Sequence, residues 1–180
     1  MASKEIIRKK YFLKRKKKYF EPKKGFFDPL ISLLKKKKFK NIAIYYPTSY
    51  EFNVLNIFKI ELFRKKKFLL PIITDEVSMN FYEWKEKDVL NVNNYGILEP
   101  IKSKPITPKV VLVPLLAFDK FKNRLGYGKG FYDKFLKKHY KNKKKIVSIG
   151  VAFSFQKHHK LPVNNNDVKL DYILTEKGIF

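Results

Sequence analysis

Apolar positions along the chain fall into short runs separated by amphipathic stretches. Residues 41–46 (NIAIYY) form a near-continuous apolar run of buried-strand type, ended by Pro47. Residues 68–73 read as a second strand despite Pro71, and residues 110–118 as the central one. Residues 146–153 and, last, 171–175 add further strands, with shorter extended pieces at 79–84 and 89–91. Helical patterns lie between them. Residues 3–20 predict a helix with Ser3 as N-cap and Ile6, Ile7, Phe12 and Leu13 partly on one side. Glu21-Pro22 and residues 25–29 break it, and residues 30–34 continue as a second short helix. Residues 50–66 predict a helix whose apolar face is Leu55, Phe58, Leu62 and Phe63. Residues 96–100 read as a turn, and residues 132–138 as a helix that follows a glycine-rich loop.

Strands that alternate with helices imply an α/β fold: a three-layer sandwich with a mainly parallel central sheet, covered by helices on both faces. No repeat or polar linker divides the 180 residues, so residues 1–180 are expected to form a single domain. In such sheets ligands sit beyond the carboxyl ends of the strands.

The glycine-rich loop falls at such an end. Gly126-Tyr127-Gly128-Lys129-Gly130 follows the central strand and precedes a helix. Glycine at every second position lets the backbone approach a ligand closely, and the helix aims its positive end at that ligand. The place suits phosphate, with Lys129 as a point charge and Asp133 able to meet a metal ion. The loop is neither a Walker A sequence, which ends in Gly-Lys-Ser/Thr, nor spaced as a dinucleotide fingerprint. The bare pattern serves equally well as a turn between strand and helix, so its neighbours must decide.

Composition narrows the chemistry. Hydrophobic residues make up 44% of the chain, with 17 Phe and 11 Tyr, enough for a proper core. There is no cysteine, which excludes disulfides, thiolate catalysis and cysteine-bound metal. The net charge of +25 invites a polyanion partner, but only 4 of the 41 basic residues are Arg, the residue favoured for reading nucleic acid. Lys, Asn, Ile, Phe and Tyr, whose codons are rich in A and T, are all abundant. Lysine runs at 35–38 and 143–145 therefore read as solvated surface, with no specific nucleic acid as partner. No run is long enough to span a bilayer, so no membrane partner is expected. The basic N-terminal stretch has the look of an organelle-targeting segment, but its capped amphipathic pattern favours a helix of the mature fold.

With the loop as anchor, the residues resemble one family closely, the 5-formyltetrahydrofolate cyclo-ligases, also called methenyltetrahydrofolate synthetases. The strongest block is Pro114-x-x-Ala117-Phe118-Asp119 followed by Asn123-Arg124-Leu125-Gly126-Tyr127-Gly128-Lys129-Gly130-Phe131-Tyr132-Asp133. The family's loop usually ends Gly-Tyr-Tyr-Asp, and Phe131 takes the place of the first tyrosine. Further blocks follow the family's order over nearly the whole chain. They are Lys4-x-x-x-Arg8, residues 47–51, Pro71, Met79-x-Phe81-x-x-Trp84, Gly96-Ile97-x-Glu99-Pro100, and Leu161-Pro162 with Asp167 and Asp171.

The resemblance implies that ATP, with Mg2+, converts 5-formyltetrahydrofolate to 5,10-methenyltetrahydrofolate, ADP and phosphate through a phosphorylated formyl oxygen. No protein nucleophile is needed. It implies ATP contacts at Lys4, Arg8, Arg124, Leu125, Gly126, Tyr127, Gly128, Lys129, Gly130, Phe131 and Tyr132, with Arg8 also directed toward the folate. Lys129 and Arg124 are the expected catalytic charges. Tyr46, Glu51, Trp84 and Tyr127 are the expected folate contacts, with Met79 and Phe81 adding to an aromatic wall. Asp133 and Asp167 are the expected metal-site acids, with Asp171 as the alternative to Asp167. His139, expected at a helix end, and His158 and His159, expected at the surface, match no catalytic position. The expected protein is a cytoplasmic monomer acting on small molecules, with import into an organelle left open.

Overall fold

The computed structural model describes residues 3–142 and 145–180. Lys143 and Lys144 of the second lysine run lie outside them.

Helix α1 (Lys4–Lys18) starts as expected, with the Ser3 hydroxyl accepting from the Ile6 amide at 3.3 Å. Its buried face differs from the expected one. Ile7, Tyr11 and Arg15, spaced four apart, face inward, while Ile6, Phe12 and Leu13 are exposed. An arginine at the third inward position hid the stripe. Helix α2 (Asp28–Lys35) has Pro29 in its first turn, where the missing amide costs nothing, and buries Leu30 and Leu34 completely.

Strand β1 (Asn41–Ala43) is shorter than the apolar run that contains it, although the Ile44 amide still donates to Leu69. The expected helix at 50–66 is replaced by two 3-10 turns, Val54–Lys59 and Glu61–Phe63. Ser49 and Tyr50 have positive φ of 47° and 64°, which is incompatible with a helix start there. Beyond them Val54, Ile57 and Phe63 are buried and Ile60, extended, is half-buried. That spacing of three is the period of a 3-10 turn rather than of an α-helix.

Strand β2 (Lys67–Ile73) pairs antiparallel with β3 (Met79–Glu83), and β4 (Leu90–Val92) pairs with β5 (Leu98–Pro100) as a separate hairpin. The expected turn at 96–100 is thus a turn at Gly96 followed by a strand. The long run at 110–118 is also divided. Strand β6 (Val110–Pro114) belongs to the main sheet, while β7 (Ala117–Phe118) forms a small ribbon with β8 (Arg124–Leu125). The break has a cause: the Gln156 amide takes the Leu115 and Leu116 carbonyls, both at 2.9 Å. Helix α3 (Phe131–Lys141), β9 (Val147–Val151) and β10 (Tyr172–Thr175) lie where the pattern put them. Strand β11 (Gly178–Ile179) adds a short antiparallel edge that sequence reading missed.

The seven-stranded sheet has the order β11-β10-β9-β6-β1-β2-β3, parallel from β10 through β2 and antiparallel at both edges. Period-two alternation sorts its side chains onto two faces. Ile42, Ile44, Val110, Leu112 and Ile149 meet α2 and the 3-10 turns. Ala43, Val111, Val113 and Ile173 meet Phe135 and Leu136 of α3. Helix α1 instead covers the end of β6, where Ile7 and Tyr11 pack on Leu116, Ala117, Leu125 and Leu161. The result is the three-layer α/β fold with α1 laid over the carboxyl ends of the central strands. No helix of the described residues is long and apolar enough to cross a membrane.

Candidate active site

The glycine loop leaves β8 beneath α1. Arg8 of α1 donates from Nε to the Gly126 carbonyl at 3.0 Å. Gly128 has φ +110°, and a Cβ there would reach the Arg8 guanidinium carbon at 3.4 Å. A side chain at Gly126 would collide with Arg124 Nη1 at 2.9 Å. Gly126 thus makes room for Arg124, while at Gly128 the positive φ itself disfavours a side chain, which explains the alternating pattern locally. Helix α3 begins immediately after Gly130.

Arg124 and Asp133 form an ion pair at 2.8 Å, with the arginine side chain only 5% exposed. The other oxygen of Asp133 accepts from the Val168 amide at 2.9 Å. Asp167, next in the chain, pairs with Lys4 at 2.5 Å and accepts from the Asn164 amide at 2.7 Å. Two of the expected cations and both expected metal-site acids therefore converge on the turn before residue 168. Asp171 is otherwise engaged: it accepts from the Ser148 amide and hydroxyl, both at 2.8 Å, and so ties β9 to the start of β10. Among the described residues no three His, Cys, Asp or Glu side chains cluster as a metal cage. Magnesium needs no such cage, since one or two carboxylates suffice when phosphate and water supply the rest. Asp133 and Asp167 beside the loop fit that requirement.

Lys129 is exposed, its ammonium 5.4 Å from the centre of the Tyr95 ring. Tyr95, on the β4–β5 hairpin and not singled out from the sequence, also meets Phe131 edge-on. Leu125 is buried under α1, so it offers the loop only its backbone. Tyr132 lies with its ring 5.7 Å from the Arg124 guanidinium carbon, and its buried hydroxyl has no partner among the described residues. Burial, and next the charge of Glu51, push that hydroxyl far above the usual phenol range.

The second half of the site follows β1. Residues 46–51, with Tyr19, Asn53 and Leu55, line a cavity of about 380 Å3. Glu51 is buried, and one carboxyl oxygen accepts from the Thr48 amide at 3.0 Å. The other accepts from the Tyr127 hydroxyl at 2.6 Å. Burial raises the Glu51 carboxyl above its ordinary range, while Tyr127, Thr48 and the charge of Arg15 hold it down. Tyr127 is half exposed, yet its hydroxyl points inward and is driven far up, first by burial and then by Glu51. Tyr46 lines the cavity, and Trp84 packs edge-on against it, ring centres 6.2 Å apart. Trp84 itself is buried among core residues, its indole N–H donating to the Asp88 carbonyl at 3.2 Å. It stands behind Tyr46 rather than lining the cavity. Met79 and Phe81 belong to the opposite core, against α3. His139 is buried against Phe135, and His158, half-buried rather than at the surface, lies 3.2 Å from the Tyr11 hydroxyl.

The glycine loop and the cavity beside Glu51 are thus joined through one phenol. The model of the 5-formyltetrahydrofolate cyclo-ligase family matches residues 1–176. The chain belongs to this family. Among relatives of this cyclo-ligase, the 5-formyltetrahydrofolate cyclo-ligase of Haemophilus influenzae is 30% identical over 151 residues, covering 80% of each chain. That of Mycoplasma pneumoniae is 28% identical over 178 residues, covering 97% of this chain and 96% of its own. The solved Aquifex aeolicus 5,10-methenyltetrahydrofolate synthetase superposes with a TM-score of 0.76 at 32% identity, covering 98% of this chain and 91% of that one. The Mycoplasma pneumoniae synthetase structure, at 24% identity and TM-score 0.75, shares the fold. The cyclo-ligase converts 5-formyltetrahydrofolate to 5,10-methenyltetrahydrofolate.

Proposed function

We propose that the conversion is driven by ATP held in the glycine loop, with the reduced pterin held in the cavity beside Glu51. The observation that carries this reading is the hydrogen bond from Tyr127, in the middle of the loop, to Glu51 on the cavity turn. It brings a polyphosphate cradle and a pterin-sized cavity into direct contact, as transfer from one ligand to the other requires. Lys4, Arg8, Arg124 and Lys129 offer positive charge, and the loop with the α3 N-terminus offers amides and a favourable dipole. The ionised Glu51 accepts hydrogen bonds from pterin N–H groups, with Tyr46 and Tyr127 on the ring and Trp84 backing Tyr46.

In the proposed sequence the formyl oxygen attacks the terminal phosphorus of ATP. A P–O bond forms, the bond to the bridging oxygen breaks, and ADP leaves. The folate N10 lone pair then attacks the formyl carbon, the C–O bond breaks, phosphate departs with the former formyl oxygen, and the N10 proton goes to solvent. The protein contributes alignment and charge stabilisation, with Lys129 and Arg124 facing the charge that develops on the phosphoryl group. Magnesium, held by Asp133 and Asp167, would supply further neutralisation of the phosphate oxygens. A monomer working in the cytoplasm on these small molecules completes the reading.

Turnover of substrate carrying 18O in the formyl group tests it. The expected result is ATP-dependent methenyl product with ADP and phosphate in equal amounts, the label residing in the phosphate. Label lost to water, or product formed without ATP, contradicts the proposed sequence.

A further inference from the structure

Arg15 heads the largest fully buried side chains among the described residues, 1% exposed, and none of the motifs considered above gives it a role. Withdrawing a guanidinium from water costs several kcal/mol unless its charge is answered. No carboxylate touches it among the described residues; its partners are neutral oxygens. Nη2 donates to the Ser49 carbonyl at 2.8 Å and to the Tyr127 hydroxyl at 2.6 Å, and Nη1 lies 3.4 Å from the Leu115 carbonyl. Nε has no partner. If filling space were the task, Met or Leu would do it without the desolvation cost. The contacts are instead distributed where the two ligand sites meet. Ser49 begins the pair of positive-φ residues that shape the cavity turn, a conformation needing outside support. Tyr127 is the centre of the glycine loop, and its hydroxyl donates a hydrogen bond to Glu51. Leu115 is where the chain leaves β6.

We infer that Arg15 is a positioning residue that orients the Tyr127 hydroxyl and the Ser49–Tyr50 turn together, and so couples the glycine loop to the cavity. This rests on the two-site reading above. Its partners fix the direction of the chain: Arg15 can only donate, so Tyr127 accepts from it and must spend its single proton on Glu51. One cation thereby keeps the carboxylate accepting and the loop seated against the cavity wall.

The consequence has two signatures beyond stability. The groups facing Glu51 are Thr48 on its own turn, Tyr127 on the loop, Arg15 on α1, Tyr45 after β1 and Tyr132 on α3. Of these only Arg15 is a cation, so its loss lets burial push the Glu51 carboxyl further up. The acid limb of kcat/KM for the folate then moves to higher pH. The second signature is non-additivity with Tyr127.

The experiment compares the full-length wild type with Arg15→Met, Arg15→Lys, Tyr127→Phe and the Arg15→Met/Tyr127→Phe pair, in kcat and KM for both substrates across pH, with thermal melts. Arg15→Met is expected to lower kcat/KM for the folate about 100-fold, the scale of a small misplacement near the chemistry, and to shift the acid limb upward. In the Tyr127→Phe background the same change should cost clearly less. Arg15→Lys keeps the charge, so its acid limb stays near that of the wild type, but one ammonium cannot reproduce the fork and kcat/KM still falls. Should Arg15→Met fail to fold, the lysine variant carries the test: unchanged kinetics there overturn the inference. So does an Arg15→Met enzyme that melts earlier with wild-type kinetics, or whose loss multiplies fully with that of Tyr127→Phe. A wild type without turnover removes the two-site reading and this inference with it.

Discussion

Lys129→Ala is expected to lower kcat about 1,000-fold, the upper range for removing one preorganised group that meets developing charge. KM for the folate should stay near its wild-type value. The ammonium has a single described contact, the face of Tyr95. It is exposed, so its removal opens no cavity and strands no buried partner. The fold should therefore survive, and melting temperature should move little. What is lost is a cation on the loop proposed to hold the ATP phosphates. Charge on the transferring oxygens is greatest in the transition state, so kcat and kcat/KM should fall together. Steady-state kinetics at saturating ATP checks this. A variant that merely raises KM for ATP, with kcat intact, would reduce Lys129 to a ground-state contact.

The second large effect is expected at Glu51. Glu51→Gln should reduce kcat/KM for the folate about 100-fold, since hydrogen bonds to a charged group are worth about 1.5–3 kcal/mol. The amide keeps the volume and one acceptor, so Thr48 or Tyr127 can still be answered, but the second position now donates. The pH profile sharpens the test. Burial raises the wild-type carboxyl, against the opposing pull of Tyr127, Thr48 and Arg15. The ionised form is the one that accepts, so activity is full above that raised value and is lost as pH falls through it. In Glu51→Gln this acid limb should vanish, leaving a flat, low profile at acid pH. A limb that persists unchanged would assign it to another group.

The sequence displayed the parts of the site that depend on backbone shape. A side chain at Gly126 would displace the end of Arg124, the positive φ of Gly128 and Gly130 disfavours any other residue there, and such needs leave a spaced glycine signature. The parallel sheet was legible because its central strands are buried on both faces and read as apolar runs. Other features were hidden by ordinary physics. The stretch after β1 has enough apolar residues for a helix, and only their spacing of three betrays the 3-10 turns. The run containing β6 and β7 is uniformly apolar, so nothing local marks where Gln156 draws the carbonyls away. Trp84 was expected to contact the folate, yet its burial puts it behind Tyr46 rather than on the cavity lining. Arg15 was lost among its neighbours, one basic residue in a helix that ends Arg15-Lys16-Lys17-Lys18. Only burial separates the cation that organises the site from those that face water.

The most direct measurement is the structure of the full chain with a non-hydrolysable ATP analogue and 5-formyltetrahydrofolate bound together. The account predicts the terminal phosphate against residues 126–130 and Lys129, the pterin against Glu51 and Tyr46, and the formyl oxygen facing the phosphorus. Nucleotide bound away from the glycine loop, or a pterin that leaves the Glu51 cavity empty, would contradict it.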